Sequence, residues 1–259
     1  MTIAGKEVRV FGTTWTAYIL FICFVEICGF FFYLLVRDFQ VLRLQYAEMR
    51  AMGMLEQMNL TDLVVGRLFP LMATVLIFLT PILTMRLIAG ERRGRTLELL
   101  MTVPVRPIEI VLGKYFAALG LVVGMVGITA AFPLALHLLG DAPGVSPLDW
   151  RTVAAGYLGL FMLGGALVAI GMLTSAVTDS QIIAAVLAVA ANLVLFFIGV
   201  AAHGQEGIWP GLVGHLSISN HLDGFSRGLL RATDITYFVS LAFVGLLLTY
   251  RVVEAQRWR

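Results

Sequence analysis

Charged residues are concentrated in one short stretch of this 259-residue chain. Seven of them fall between Glu91 and Glu109, about three times an even share of the 18 basic and 16 acidic residues. The stretch opens with Glu91, Arg92 and Arg93, side chains that suit either a solvated loop or charged contacts with another protein. It is therefore the first place to look for function.

A short helix is predicted inside this stretch, from about residue 96 to 102. Thr96 can cap its N-terminus, Glu98 lies where the helix dipole favours an acid, and Pro104 ends it. One side of the helix is apolar, formed by Leu97, Leu100 and Met101. Such a helix can present a small apolar face between charges to a partner protein.

Familiar nucleotide and metal motifs do not occur in the sequence. It has no G-x-x-x-x-G-K-[ST] phosphate loop, no H-E-x-x-H and no C-x-x-C. The histidines are His137, His203, His215 and His221, and only the last two share one segment, where a metal site would need further ligands. We expect no metal and no cofactor bound by this chain, and the histidines are interpreted as polar residues near membrane boundaries.

Two polar residues lie within long apolar stretches. A membrane-embedded carboxylate is costly unless it faces protein or a water-filled cavity, so Glu26 is a candidate for a transport pathway or proton relay. A structural hydrogen bond between helices is the alternative for Glu26. A structural hydrogen bond between helices is favoured for Asn192. Asn192 is also a candidate for the transport pathway.

Small residues recur at spacings of 3 and 4 in the third apolar stretch. They would lie on one face of a helix and let another backbone approach closely, within the subunit or between two subunits. The stripe consists of Gly113, Ala117, Gly120, Gly124 and Gly127.

The composition sets the class of protein that must position these residues. Apolar residues make up 59% of the chain and charged residues 13%, with a mean hydropathy of +0.92. Soluble domains carry about a quarter charged residues, so a membrane protein is indicated. Two Cys exclude a disulfide-stapled domain, and a net charge of +2 without a long basic run argues against nucleic-acid binding.

Six stretches are long and apolar enough to cross a bilayer as helices, since about 20 residues span its hydrocarbon core. The fold class is therefore all-α: one polytopic membrane domain over residues 1–259 with six transmembrane helices, in contact with membrane lipids. The spans are predicted near 13–36, 63–86, 110–137, 152–174, 181–202 and 235–253.

Orientation follows from the basic residues of the loops. With both termini cytoplasmic, 11 Lys and Arg lie inside and 7 outside, as the positive-inside rule favours. Two outer segments then look helical. Residues 37–62 continue the first span, and residues 215–231 carry Ile218, Leu222, Phe225 and Leu229 on one face. The second is predicted to lie as an amphipathic helix on the outer surface; the alternative is a re-entrant or packed loop helix.

The charged stretch resembles the cytosolic coupling segment of ABC-2 type transporter permeases. It reads Glu91-Arg-Arg-Gly-Arg-Thr96-Leu-Glu98-Leu-Leu100-Met-Thr-Val-Pro104, followed by Gly113-Lys114 in the next span. Arg95 stands where the family usually has Gly before the Thr. Further similarity lies in residues 175–181, 221–228, 234–238 and 254–259, and the combination is most similar to the gliding-motility-associated (Gld-type) branch.

The resemblance implies a non-catalytic permease subunit of the bacterial inner membrane. A second permease copy, identical or paralogous, would complete the pathway, and separate cytosolic ATPase subunits would bind ATP and Mg²⁺. The resemblance assigns ATPase coupling to Glu91, Arg92, Arg93, Thr96, Leu97, Glu98, Leu100, Met101 and Pro104.

The resemblance leaves two uses of such a permease open. One is export of a small or lipid-like substrate, and the other is service to an envelope or gliding-motility machine with an accessory membrane or periplasmic protein. The rival class is an ion- or proton-coupled carrier, or an intramembrane enzyme, that uses Glu26 and works without an ATPase.

Overall fold

The chain is an all-α protein with six helices long and apolar enough to cross a membrane. The computed structural model describes residue 5 and residues 15–49, 59–93, 106–139, 148–202 and 213–256, and no strand occurs among them. Six continuous apolar helices form because each span satisfies its backbone hydrogen bonds internally, as a bilayer requires.

The helices are numbered in chain order. A π-helix at Thr61–Val65 leads directly into α2. The α-helices are α1 Trp15–Glu48, α2 Gly66–Thr84, α3 Ala89–Arg93, α4 Pro107–Ile128, α5 Ala131–Leu139, α6 Trp150–Val177, α7 Gln181–Ala202, α8 Ile218–Ser226 and α9 Ala232–Gln256.

The six predicted spans are confirmed. Helices α1, α6, α7 and α9 each form one, the π-helix with α2 and α3 forms the second, and α4 with α5 forms the third. Helix α1 continues past its span to Glu48, so the predicted helical extension over residues 37–62 is confirmed for residues 37–48; Met49 is in a turn, and residues 50–58 lie outside the described residues. Consecutive spans run in opposite directions, so the bundle has two ends. One is the end where α3 lies between α2 and α4, and the other, which we call the α8 end, is where α8 lies.

Helix α6 occupies the centre of the bundle. In its most apolar 18-residue window 72% of the residues are buried, against 17% for α1 and for α9. Helices α2, α4, α7, α8 and α9 all contact it. An evenly apolar helix is expected at such a central position, since it has no face that water or charge must reach.

Close packing around α6 depends on its own glycines. A side chain at Gly156 would collide with the ring of Phe69 on α2, and one at Gly159 would come within 2.6 Å of Phe225 on α8. Val122 of α4 fills the space beside Gly164 in the same way. Glycine on the central helix thus receives large side chains from three neighbours, which brings the backbones close together.

Within this subunit the small-residue stripe on α4 is only partly packed, and its packing between two subunits stays a prediction. Ala117 is buried, and a Cβ added at Gly124 would meet the ring of Phe21. A Cβ added at Gly120 or at Gly127 would have no atom of the described residues within 4 Å. The reason is that α4 turns its large side chains towards α6, so most of the stripe faces away from the bundle.

Helix α8 confirms the predicted helix before the sixth span, and its apolar side packs on the bundle. Ile218, Leu222 and Phe225 are at most 2% exposed. Leu229, predicted on the same face, lies beyond the helix and is 47% exposed. The contacts of α8 with α6 and α7 make it a packed loop helix, the second of the two arrangements considered for this segment.

Candidate functional site

A buried ion pair closes the connection between the second and third spans. Lys114 Nζ lies 2.7 Å from Glu91 Oε1, and the lysine side chain is only 3% exposed. Glu91 belongs to the short helix α3 and Lys114 to the second turn of α4. The pair therefore ties the segment after the second span to the beginning of the third, across 23 residues of sequence.

A second ion pair joins the same helix to the turn between the fourth and fifth spans. Arg92 Nη1 lies 2.9 Å from Asp179 Oδ1, with the arginine 19% and the aspartate 81% exposed. One turn of helix thus carries two charges, one paired with α4 and the other with the turn between α6 and α7. We call residues 85–93 the elbow.

Ser175, near the end of α6, anchors the first half of the elbow. Its hydroxyl accepts hydrogen bonds from the backbone N–H of Ile88, at 3.2 Å, and of Ala89, at 3.0 Å. It also donates to the carbonyl of Met85, at 3.0 Å. Because the first N–H groups of a helix have no partner within it, a buried hydroxyl at this position fixes where α3 begins.

Glycines let the elbow sit tightly on its neighbours. A side chain at Gly171 of α6 would collide with Thr84, the last residue of α2. A side chain at Gly90 would come within 3.3 Å of Gln181 Nε2 at the start of α7. The elbow is therefore in contact with α6 and α7 and is paired to α4.

The structure gathers part of the predicted coupling set and leaves part undescribed. Glu91 and Arg92 lie in the elbow and make the pairs above, and the backbone of Arg93 ends α3. Thr96, Leu97, Glu98, Leu100, Met101 and Pro104, with the predicted helix that they form, lie outside the described residues.

Comparison with known families identifies the chain. Its sequence matches the family model described as ABC-2 family transporter protein over residues 1–210. The chain belongs to this family. No curated protein matches it. As an ABC-2 family transporter protein it is a multi-pass membrane protein and a permease subunit of an ABC transporter, and the family implies association with cytosolic ABC ATPase subunits.

The elbow of this ABC-2 protein also depends on residues that the sequence did not single out. In the sequence Lys114 stands out only as part of the Gly-Lys in the third span, and Ser175 and Asp179 lie only within the segment 175–181 that resembles the family. A lone lysine in the second turn of an apolar span was the available signal, because an intramembrane charge requires a partner.

Glu26 lies on the exposed side of α1, away from the bundle core. Its neighbours on that side are large and apolar, among them Ile22 and Phe30, at 59% and 60% exposure. Within the described residues the carboxylate therefore does not face an interior pathway of this subunit. Exposed residues recur along this side of α1 because the helix packs with its opposite side, which carries Phe24 and Cys28.

Asn192 is fully buried on α7. Neither its amide nitrogen nor its amide oxygen has a hydrogen-bond partner among the described residues, so the predicted interhelical bond is not formed there. The physical reason is that α7 packs against α2 and α6, whose buried side chains are almost all apolar.

The histidines at the α8 end have structural contacts. His221 Nδ1 lies 2.7 Å from Asp234 Oδ1, and its ring stacks on Tyr237 with 4.1 Å between centroids. His221 Nε2 lies 3.0 Å from the carbonyl oxygen of His215. No group of three or more His, Cys, Asp or Glu suited to a metal ion occurs in the part of the chain that the structure describes.

Proposed function

We propose that this permease subunit couples ATP hydrolysis on separate cytosolic ATPase subunits to transport, and that the elbow transmits the motion. The observation that carries this proposal is the attachment of one short segment to Lys114 of α4, to Ser175 of α6 and to Asp179 in the turn that leads into α7. A nucleotide-driven shift of that segment would then bias the whole bundle between two states.

The two parts of the charged stretch have different roles in this proposal. Glu91 and Arg92 are engaged by Lys114 and Asp179 of the same chain. We infer that the direct ATPase contacts come from the residues that follow, with Leu97, Leu100 and Met101 filling an apolar groove and Glu98 meeting a basic rim. Pro104 would end this helix before Arg106 leads into α4.

In this proposal the chain is not itself an enzyme. ATP and Mg²⁺ are held by the ATPase subunits, consistent with the lack of a phosphate loop in this sequence. A second permease copy completes the pathway. The elbow would face the cytoplasm, and both termini of a six-span chain would then be cytoplasmic too. The membrane in this proposal is the bacterial inner membrane.

The family match is to the ABC-2 transporters as a whole, so the gliding-motility branch stays a prediction of the sequence resemblance. Export and service to an envelope machine with an accessory protein share the same coupling step. The carrier alternative that relies on Glu26 is less well supported, because the carboxylate faces away from the bundle.

Reversal of one charge in the proposed groove contact tests the coupling role. The permease is co-expressed with its ABC ATPase, purified as a complex and reconstituted in lipid. Glu98→Arg is expected to abolish complex formation or to remove ATPase stimulation, while the permease keeps its thermal unfolding temperature. The matched control is Glu48→Arg, since Glu48 is exposed at the α8 end of α1. Unchanged partner binding and stimulation in Glu98→Arg would refute the coupling assignment.

A further inference from the structure

A cavity of about 460 Å³ with four charged residues in its lining opens at the α8 end of the bundle, opposite the elbow. One wall comes from the π-helix and the first turns of α2, and the other from the end of α8. It is lined by Asp62, Gly66, Arg67 and Pro70 on the first wall and by Asp223, Ser226 and Arg227 on the second.

The charged side chains of the two walls differ in whether they pair with each other. On the α8 wall, Arg227 Nε and Asp223 Oδ2 pair with each other at 3.0 Å. On the α2 wall, the Asp62 carboxylate accepts a hydrogen bond from the Asn59 amide at 3.3 Å, and Arg67 makes no ion pair among the described residues. The α2 wall therefore presents an acid and a base that are available to a ligand.

The π-helix explains why Asp62 and Arg67 line the same cavity. In an α-helix, residues five apart lie about 140° apart around the axis. Here the N–H of Gly66 bonds to the carbonyl of Thr61, five residues back, and the extra residue in the turn brings such positions closer to one side. Short π-helical turns recur at functional sites.

The cavity wall is held in place from two directions. The Thr61 hydroxyl accepts a hydrogen bond from the backbone N–H of Asp149 at 2.9 Å, which fixes the π-helix to the start of α6. The carbonyl oxygen of Ser226 lies 3.5 Å from the place that a side chain on Gly66 would occupy, which brings α8 against the opposite side. The charges are thus presented by a preorganised frame.

We propose that this cavity binds a zwitterionic phosphate–ammonium group, of the phosphoethanolamine type. Arg67 would bind the phosphate, a group that guanidinium recognises through paired hydrogen bonds, and Asp62 would accept hydrogen bonds from the ammonium. Because the four charged residues of the lining sum to zero, the site favours a ligand that carries both signs over a simple anion.

The position of the cavity fits a membrane headgroup. It lies where the second candidate span begins, at Thr61, and therefore near the level of lipid headgroups. Leu229 and Leu230, 47% and 58% exposed, follow Arg227 and offer an apolar surface on which acyl chains can lie. The same chemistry is present in soluble phosphoethanolamine, so the lipid and the soluble compound are the two sources to separate.

Native mass spectrometry of the purified full chain tests the proposal. Occupancy is titrated with short-chain phosphatidylethanolamine, with phosphatidylglycerol, which has the phosphate but no ammonium, and with free phosphoethanolamine as a competitor. We expect phosphatidylethanolamine to bind about tenfold more tightly than phosphatidylglycerol, and Arg67→Gln and Asp62→Asn each to weaken it about fivefold or more.

Matched variants elsewhere at the same end of the molecule serve as controls. Arg37→Gln and Asp38→Asn change exposed charges on α1 outside the cavity and should leave the affinity unchanged. Displacement by phosphoethanolamine identifies the headgroup as a sufficient ligand, whereas its failure to displace bound lipid identifies a lipid site. Equal binding of both lipids, or unchanged affinity in Arg67→Gln and Asp62→Asn, would overturn the proposal, and neither result bears on coupling at the elbow.

Discussion

Lys114 Nζ lies 2.7 Å from Glu91 Oε1, and the lysine is almost completely buried. The pair connects the second turn of α4 to α3, a helix of only five residues. A short helix is marginal in isolation, so its position must be set by tertiary contacts. This pair, with the Ser175 hydroxyl, sets the position of α3 in the permease.

Removal of the lysine should destabilise the fold strongly. In Lys114→Met the Glu91 carboxylate, whose side chain is 23% exposed, loses the ammonium group beside it, and we expect this loss to cost about 1–3 kcal/mol of unfolding free energy. The double variant Glu91→Leu/Lys114→Met should recover most of this loss. Unfolding in detergent measures all three proteins.

The exposed pair between Arg251 and Glu254 provides the control for this cycle. Its atoms are 3.6 Å apart and the arginine is 70% exposed, so Arg251→Gln should cost less than about 1 kcal/mol. If the double variant were as unstable as Lys114→Met, the loss would come from packing and not from the carboxylate that the single variant leaves behind.

Ser175→Ala should loosen the elbow. The substitution leaves the buried N–H groups of Ile88 and Ala89 without their acceptor, and one such group costs about 1–3 kcal/mol. We expect a lower unfolding temperature together with weaker ATPase stimulation in the reconstituted complex.

Ser240→Ala is the matched change for that experiment. Ser240 is exposed on α9 and its hydroxyl bonds only within its own helix, to the Tyr237 carbonyl, so its removal should change stability by no more than about 0.5 kcal/mol. Equal effects of the two substitutions would show that Ser175 does not anchor the elbow.

Asn192→Leu should leave the permease as stable as before, or raise its stability by about 1 kcal/mol. The amide is buried without a hydrogen-bond partner among the described residues, and an apolar side chain of similar shape avoids the cost of desolvating it. Thermal unfolding and transport should be measured on the same preparation.

Thr249→Val is the control for Asn192→Leu, because Thr249 is a buried polar residue that has a hydrogen-bond partner. Thr249 is equally buried, but its hydroxyl donates to the Gly245 carbonyl at 2.7 Å, so its loss should lower stability. A clear loss of stability in Asn192→Leu would mean that the folded protein satisfies the amide. Loss of transport at unchanged stability would support the pathway role predicted for Asn192.

The start of α6 should be sensitive to acid. Hydrogen bonds from the Thr152 hydroxyl and the Arg151 N–H lower the pKa of Asp149 below its ordinary value of 3.8. Because the pKa is lower in the folded state, this contribution to stability is complete above the unfolded pKa. It is lost as the pH falls through the folded pKa.

Asp149→Asn removes this titration and should flatten the fall of the unfolding temperature as the buffer is taken from neutral to acidic pH. Thr152→Val removes the hydrogen bond that lowers the pKa of Asp149 most. It should therefore also flatten the fall of the unfolding temperature with acid. The measurement is a series of melts in detergent across that range. An acid dependence identical to that of the unmodified protein would contradict the assigned role of Asp149.

The number and bounds of the spans could be read from local composition. The fourth span was predicted at 152–174 and runs from Trp150 to Val177, and the helix before the sixth span was found with its three buried residues. Each of these features depends on hydrophobicity within a window of neighbouring residues, which the sequence contains directly.

Contacts between helices could not be predicted from local composition. The stripe of small residues on α4 has the right spacing for close packing, yet Gly156 and Gly171 of α6 are the glycines that neighbouring helices approach most closely. Similarly, Glu26 was expected to face protein or a water-filled cavity, and within this chain it lies on the outward side of α1. Spacing identifies a face of a helix but not what that face contacts.

The amino-acid sequence was enough to establish six membrane spans, a charged segment after the second of them, and a resemblance to permeases. The packing of the helices was needed to show that Glu91 meets Lys114, that Arg92 meets Asp179, and that one cavity has charged walls from α2 and α8. The difference has a physical cause. Insertion into a bilayer depends on the summed hydrophobicity of about 20 consecutive residues, whereas an ion pair forms between groups that only the packing of whole helices brings within a few ångströms.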